Sequence, residues 1–158
     1  MEMFGDPIVN DKKLKEEYFV NVVKLQRGFD LPVQSREKEG IFPVIGANGI
    51  VGFHDQYKAT YGIVTGRSGT IGNVYLVEGK YWPLNTTLFS IDTHGNNIIY
   101  LKWLLQFFKL ERFVAGTGVP TLNRNNFHNV KIISVSIDEQ NQFACFVKKI
   151  DKSKFLAY

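Results

Sequence analysis

The stretch from Ile41 to Ser90 limits the possible folds more than any other feature, because glycines cut it at Gly46, Gly49, Gly52, Gly62, Gly66, Gly69, Gly72 and Gly79. The apolar pieces left between them, Phe42–Ile45, Ile50–Phe53, Gly62–Thr65, Asn73–Val77 and Thr86–Ile91, have the length of short strands joined by tight turns. Asn48-Gly49 predicts a hairpin with positive φ at both central residues. Pro83 predicts an exposed edge or a strand end, since it has no N–H to give a ladder. Glu17–Leu25, rich in β-branched and aromatic residues, predicts a first strand closed by Gly28, followed by a polar loop over 29–40. Val130–Ile137 predicts a last strand.

Two segments change period. In Asn96–Arg112, the residues Ile98, Leu101, Leu104, Leu105 and Phe108 fall at helical spacing, with Asn96 or Asn97 as cap and Gly116 as stop. Trp103, Phe107 and Phe108 on this helix are expected in the core. Ser136-Ile-Asp-Glu139 fits a capping box, and Phe143, Phe146, Val147 and Ile150 continue as an apolar stripe. That stripe either folds back on its own domain or is completed by another helix. The single Cys145 lies on it, where a buried structural thiol is expected, and it leaves no partner for an intramolecular disulfide.

At 158 residues, with 44% hydrophobic and 22% charged residues, the chain suits one folded domain, or one domain with an appended helix. No apolar run reaches the ~18 residues of a membrane span, and the start Met1-Glu-Met-Phe-Gly-Asp lacks a signal pattern, so a cytoplasmic address is expected. The formal charge is +4, and the excess sits in residues 51–137, which carry 8 Lys/Arg against 4 Asp/Glu. Such a balance is compatible with a polyanion without requiring one.

Catalytic patterns are weak. No phosphate-binding Gly-x-x-x-x-Gly-Lys-Ser/Thr occurs, and Gly66–Gly72 lacks the spacing of a dinucleotide fingerprint. His54, His94 and His128 are scattered and predict no metal site. A metal-dependent nuclease can be drawn from Asp55, Glu78 and Lys80, but Glu and Lys two apart on a strand are equally a solvated edge. What stands out is polar and glycine-framed: Gly46–Gly52, Gly66–Gly72, Trp82–Thr87 and Gly116–Arg124 place Asn, Arg, Ser and Thr where a backbone can approach a partner closely. These side chains suit phosphates and base edges, and the same residues suit the tight turns of a small β-rich domain.

Five segments in order, Leu25–Pro32, Phe42–Ile50, Val64–Gly72, Tyr81–Thr87 and Gly116–Arg124, make the chain resemble the target recognition domain of type I restriction-modification specificity subunits. The resemblance spans roughly residues 18–150. It implies an α+β fold: one recognition domain with a β-rich core of short twisted strands, one or more packed helices, and a C-terminal helix that begins a spacer or coiled-coil region. The corresponding division is a linker-like lead-in over 1–16, the recognition domain over 17–137, and a truncated spacer helix over 138–158.

The function implied is non-catalytic: reading one half of a bipartite site on double-stranded DNA and directing modification and restriction subunits to it. S-adenosylmethionine, ATP and Mg are then expected only on those partner subunits, and no cofactor or metal on this chain. Full members carry two recognition domains and two helices, and Met3–Asn10 looks like the segment leading into a second domain. The chain therefore fits the second half of a longer subunit, a self-pairing half-size subunit or a gene remnant. A fragment that assembles through its terminal helix without reading DNA is the competing interaction role.

Candidate DNA contacts are Lys58, Arg67, Ser68, Lys80, Asn85, Thr86, Thr121, Asn123 and Arg124, with Lys58 and Lys80 in the phosphate field. Bases would be read by the less recognisable stretches Gln34–Glu39 and His54–Thr60. Phe143, Phe146, Val147 and Ile150 are the candidate partner or dimer helix face.

Overall fold

The computed structural model describes residues 3–36, 39–115 and 118–156. Its main feature is a six-stranded sheet in the order β2 (Lys24–Arg27), β7 (Thr87–Asp92), β5 (Ala59–Gly66), β6 (Val74–Pro83), β3 (Phe42–Gly46), β4 (Gly49–His54). All pairings are antiparallel except β3 with β6. Two short pairs flank it: β1 (Glu16–Tyr18) with β10 (Lys131–Ile133), and β8 (Val114–Ala115) with β9 (Thr121–Leu122). The helices are α1 (Phe19–Val22), α2 (Ile98–Phe108) and α3 (Ile137–Leu156). The architecture is α+β with a β-rich core, as the sequence predicts.

Successive residues of a strand face opposite sides, and over Gly62–Gly66 of β5 both sides are buried. Ile63 joins Leu25, Leu88 and the α2 residues Leu101, Leu104 and Phe108 in the larger core. Val64 points the other way, to Ile45, Tyr81 and Phe89. The second side is enclosed because the sheet curls onto itself: Phe29, beyond β2, bridges Leu84 in parallel, and the Leu84 N–H donates to the Ile45 carbonyl (2.9 Å). Closure of this kind pairs edges that would otherwise be open. A Cβ on Gly28 would overlap the Leu84 carbonyl, so glycine lets the two segments meet.

Several expectations are corrected. The strand over Glu17–Leu25 is broken by the helical turn α1. Phe19 and Val22 both face the α2 core, and residues three apart share a side in a helix but not in a strand. The β3–β4 hairpin forms, but only Gly49 has positive φ (+108°); Gly46 pairs with Gly49 around Ala47-Asn48, so the turn is not the doubly positive type. Pro83 ends β6 as predicted, yet it is buried, with β3 alongside. The last strand is confined to Lys131–Ile133, and Ile137 already belongs to α3.

Asn97 caps α2, its side-chain oxygen accepting from the N–H groups of Ile99 (2.9 Å) and Tyr100 (3.2 Å). The helix ends at Lys109 in a left-handed conformation, well before Gly116, which lies outside the described residues. Phe108 is in the core, Trp103 is half-buried and Phe107 is 37% exposed, so the core expectation fails for Phe107.

α3 starts on its predicted cap, with the Glu139 N–H donating to the Ser136 hydroxyl (3.3 Å). Buried Gln140 clamps it to the start of α2. Its amide donates to Asn96 Oδ1 (2.9 Å) and the Val135 carbonyl (2.9 Å), and its oxygen accepts from Asn97 N–H (2.8 Å). The apolar stripe divides: Phe143 and Val147 are buried, while Phe146 and Ile150 are 55% and 40% exposed. Cys145 is exposed, not buried, because it sits on the helix face turned from the core. In the lead-in, Phe4 packs between Tyr100 and Phe143 at 5.7 Å from each ring, and Asp6 lies 3.5 Å from Arg112.

Gly28→Ala should lower unfolding stability by about 2 kcal/mol or more, since backbone must move to admit the methyl. Gly79→Ala, which meets nothing, should change it by less than about 0.5 kcal/mol. Urea unfolding of the two variants checks this.

Candidate nucleic-acid interface

The glycine-framed segments converge at one end of the curled sheet. The backbone N–H groups of Arg67 and Ser68 donate to the Thr86 carbonyl (2.9 and 3.3 Å), and Arg67 Nη1 donates to the Asn85 carbonyl (2.8 Å). The Leu122 N–H donates to the Arg67 carbonyl (2.6 Å), Ser68 bridges Thr121, and the Gly69 N–H donates to the Pro120 carbonyl (3.1 Å). Loops 67–73, 84–86 and 119–125 are thus joined mainly by backbone. Gly66 is needed where they cross, since a Cβ there would overlap the Thr70 carbonyl.

Beside this junction lies a cleft lined by Arg27, Arg67, Leu88, Thr121, Leu122, Asn123, Arg124 and Asn125. Its far wall is latched to the outer edge of β2 at one residue. The Leu25 N–H donates to His128 Nε2 (3.3 Å) and the Leu25 carbonyl accepts from Arg124 Nη1 (3.4 Å). That bond requires His128 to be unprotonated at Nε2. Burial, then the charges of Arg124 and Lys24, hold its pKa below the usual histidine range. Burial and the neighbouring Arg27 likewise lower the pKa of Arg67. The charges that add to this lowering, on Arg27 for Arg67 and on Arg124 and Lys24 for His128, are positive. Among the described residues, Lys24, Arg67 and Arg124 make no ion pair, and Arg27 has only a long, exposed one with Asp30 (3.9 Å).

The fold therefore gathers Arg67, Ser68, Asn85, Thr86, Thr121, Asn123 and Arg124 around one junction, but they serve it differently. Asn85 and Thr86 contribute backbone carbonyls to it, and Arg67 uses one guanidinium nitrogen to hold it. Asn123 caps the turn that follows by accepting from the Asn125 N–H (2.9 Å). Sequence reasoning missed Lys24, Arg27 and Asn125. Arg27 was legible within the motif Leu25–Pro32, whereas Lys24 becomes relevant only once the 121–128 segment docks on β2. Lys58 and Lys80 stand apart from the cleft, over aromatic rings. Of the stretch Gln34–Glu39, residues 37–38 lie outside the described residues, as do Gly116 and residue 117 of the last motif.

The nuclease arrangement does not assemble. Asp55 pairs with His54 (3.5 Å), Glu78 is exposed on β6, and among the described residues no three His, Cys, Asp or Glu side chains come together to hold a cation. Among the described residues no helix is long and apolar enough to cross a membrane.

The profile of the type I restriction modification DNA specificity domain matches residues 10–156. The chain belongs to that family. A similar protein is the type I restriction enzyme EcoprrI specificity subunit of Escherichia coli, 25% identical over 122 residues, covering 75% of this chain and 30% of the relative. Among solved structures, the type I S subunit from M. genitalium shares the fold at TM-score 0.74 and 16% identity, over 87% of this chain and 39% of that one. The HsdS subunit from Thermoanaerobacter tengcongensis does so at 0.65 and 11%, over 88% and 37%. This chain thus spans 30% of the length of the curated relative and 37–39% of the length of the solved structures it resembles.

The latch makes the stability of the domain pH-dependent. The pKa of His128 is depressed in the fold, so the unfolded chain binds the proton more readily. The contribution of the neutral imidazole is complete above the ordinary value of 6.5 and is lost as pH falls from there through the lowered folded pKa. The urea midpoint of the wild type should drop more between about pH 7.5 and 5.5 than that of His128→Gln, whose side chain does not titrate.

Proposed function

We propose that this chain is a target recognition domain that reads one half of a bipartite site on double-stranded DNA, and that it supplies specificity and no chemistry of its own. The observation that carries this is the cleft, where Arg27, Arg67 and Arg124 converge with Asp30, exposed and 3.9 Å from Arg27, as the one carboxylate paired with them among the described residues, next to the amide and hydroxyl groups of Thr121, Asn123 and Asn125. Unneutralised cations suit phosphates, and the polar groups beside them suit base edges. In this reading Arg67, Ser68, Asn85 and Thr86 chiefly build the junction, while Arg27 and Arg124 grip the backbone.

The partners follow from the family: modification subunits that hold S-adenosylmethionine, and through them a restriction subunit that uses ATP and Mg, in the cytoplasm. Phe146 and Ile150, exposed on α3, support docking of that helix against a modification subunit, a second specificity half or another copy of this chain. Phe143 and Val147 serve the domain's own core.

Arg27→Ala and Arg124→Ala should each weaken binding to duplex DNA and lower the slope of log affinity against log salt by about 0.9. Unchanged affinity and slope, by fluorescence anisotropy, would remove the cleft from the DNA site. Phe146→Asp or Ile150→Asp should reduce association with the modification subunit or with a second copy while the circular dichroism of the fold is retained. Loss of folding in both would place the outer face of α3 in the core instead.

A further inference from the structure

We propose that a lysine-bearing aromatic strip, set apart from the cleft, is a second phosphodiester track for duplex DNA, an inference that rests on the DNA-reading role above. The strip begins two residues beyond Arg27, at Phe29, which meets Trp82 edge-on (6.4 Å); Trp82 in turn meets His54 (5.3 Å). Across the hairpin His54 pairs with Phe42, which abuts Tyr57 (5.1 Å). The indole is fixed by its Nε1 donating to the Phe29 carbonyl (3.2 Å).

Two exposed lysines lie over these rings. Lys58 Nζ is 5.3 Å from the Phe29 ring and 5.2 Å from the Trp82 ring, and Lys80 Nζ is 4.9 Å from the Tyr57 ring. A carboxylate partner would hold a lysine and cancel its charge, whereas an aromatic face holds it and leaves the charge intact. Neither lysine makes an ion pair with a described residue; Asp55 lies 3.5 Å from His54 and Asp30 3.9 Å from Arg27. Glu78, two residues from Lys80, is exposed and pairs with neither. Free lysines lose considerable rotamer entropy when a partner fixes them, and the rings reduce that loss in advance. An anion whose charges repeat along an extended backbone fits two lysines held in this way.

The test measures anisotropy of a labelled random-sequence duplex from about 50 to 200 mM salt. It uses the full chain, Lys58→Met, Lys80→Met, the double variant, and Lys148→Met as a control of equal charge on exposed α3. Each strip variant should lower the salt slope by about 0.9 and the double variant by about twice that, with Lys148→Met close to wild type. In a Trp103→Phe background, which leaves Trp82 as the remaining indole, duplex should shift the emission, and Lys58→Met should remove the shift.

If the strip variants keep the wild-type slope while Arg27→Ala lowers it, the second track falls and the cleft stands. If the wild type binds no duplex, or Arg27→Ala also leaves the slope unchanged, the DNA reading falls and the strip with it. If the strip variants lose binding to polyglutamate but not to duplex, the strip takes an acidic protein segment and the proposal is overturned.

Discussion

The meeting of Phe29, Leu84 and Ile45 is the contact on which the rest of the structure depends. It brings the end of β2 onto the end of β6, curling β2, β7, β5 and β6 around a small core of Val64, Tyr81 and Phe89. Because β5 carries apolar residues on both sides, neither side can be left in water; the helices cover one and the curl covers the other. The closure also sets where the loops emerge. Asn85 and Thr86 follow Leu84 directly, so the carbonyls that receive Arg67 and Ser68 are in place once the sheet is shut.

That geometry gives the charged surface its character. Cations that are far apart in sequence, Arg27 on one strand, Arg67 after another and Arg124 on a late loop, come to one place, and burial, with their mutual field added to it, depresses the pKa values of Arg67 and His128. A fold keeps such repulsion where something else compensates. Here the compensation within the molecule is partial: one guanidinium nitrogen of Arg67 and one of Arg124 bond to carbonyls, which fixes the charges without neutralising them. Lys58 and Lys80 are held over aromatic rings with the same outcome.

α3 packs on the domain by one face only. Its inner face is committed through Gln140, Phe143 and Val147, and Phe4 wedges between it and α2. The direction of the helix is therefore set by the domain and its lead-in, and only Phe146, Ile150 and their neighbours are left for another surface.

The sequence by itself determined the strand-rich middle, the hairpin at Asn48-Gly49, the capped helix after Asn97 and the helix beginning at Ser136, because glycine, caps and apolar period act over a few residues. The motif order also pointed to the family. Only the tertiary structure decided that Glu17–Leu25 breaks into strand, turn and strand, since that depends on Phe19 and Val22 finding the same core. The same holds for Cys145 facing outward, for Phe107 leaving the core, and for Phe143 and Val147 turning inward while Phe146 and Ile150 turn out: periodicity defines a stripe but not which part of it a neighbour covers. The cleft was half legible. Arg67 and Arg124 stood out among glycines and asparagines, but Lys24, Arg27 and His128 acquire their roles only when residues about a hundred positions apart are brought together at Leu25.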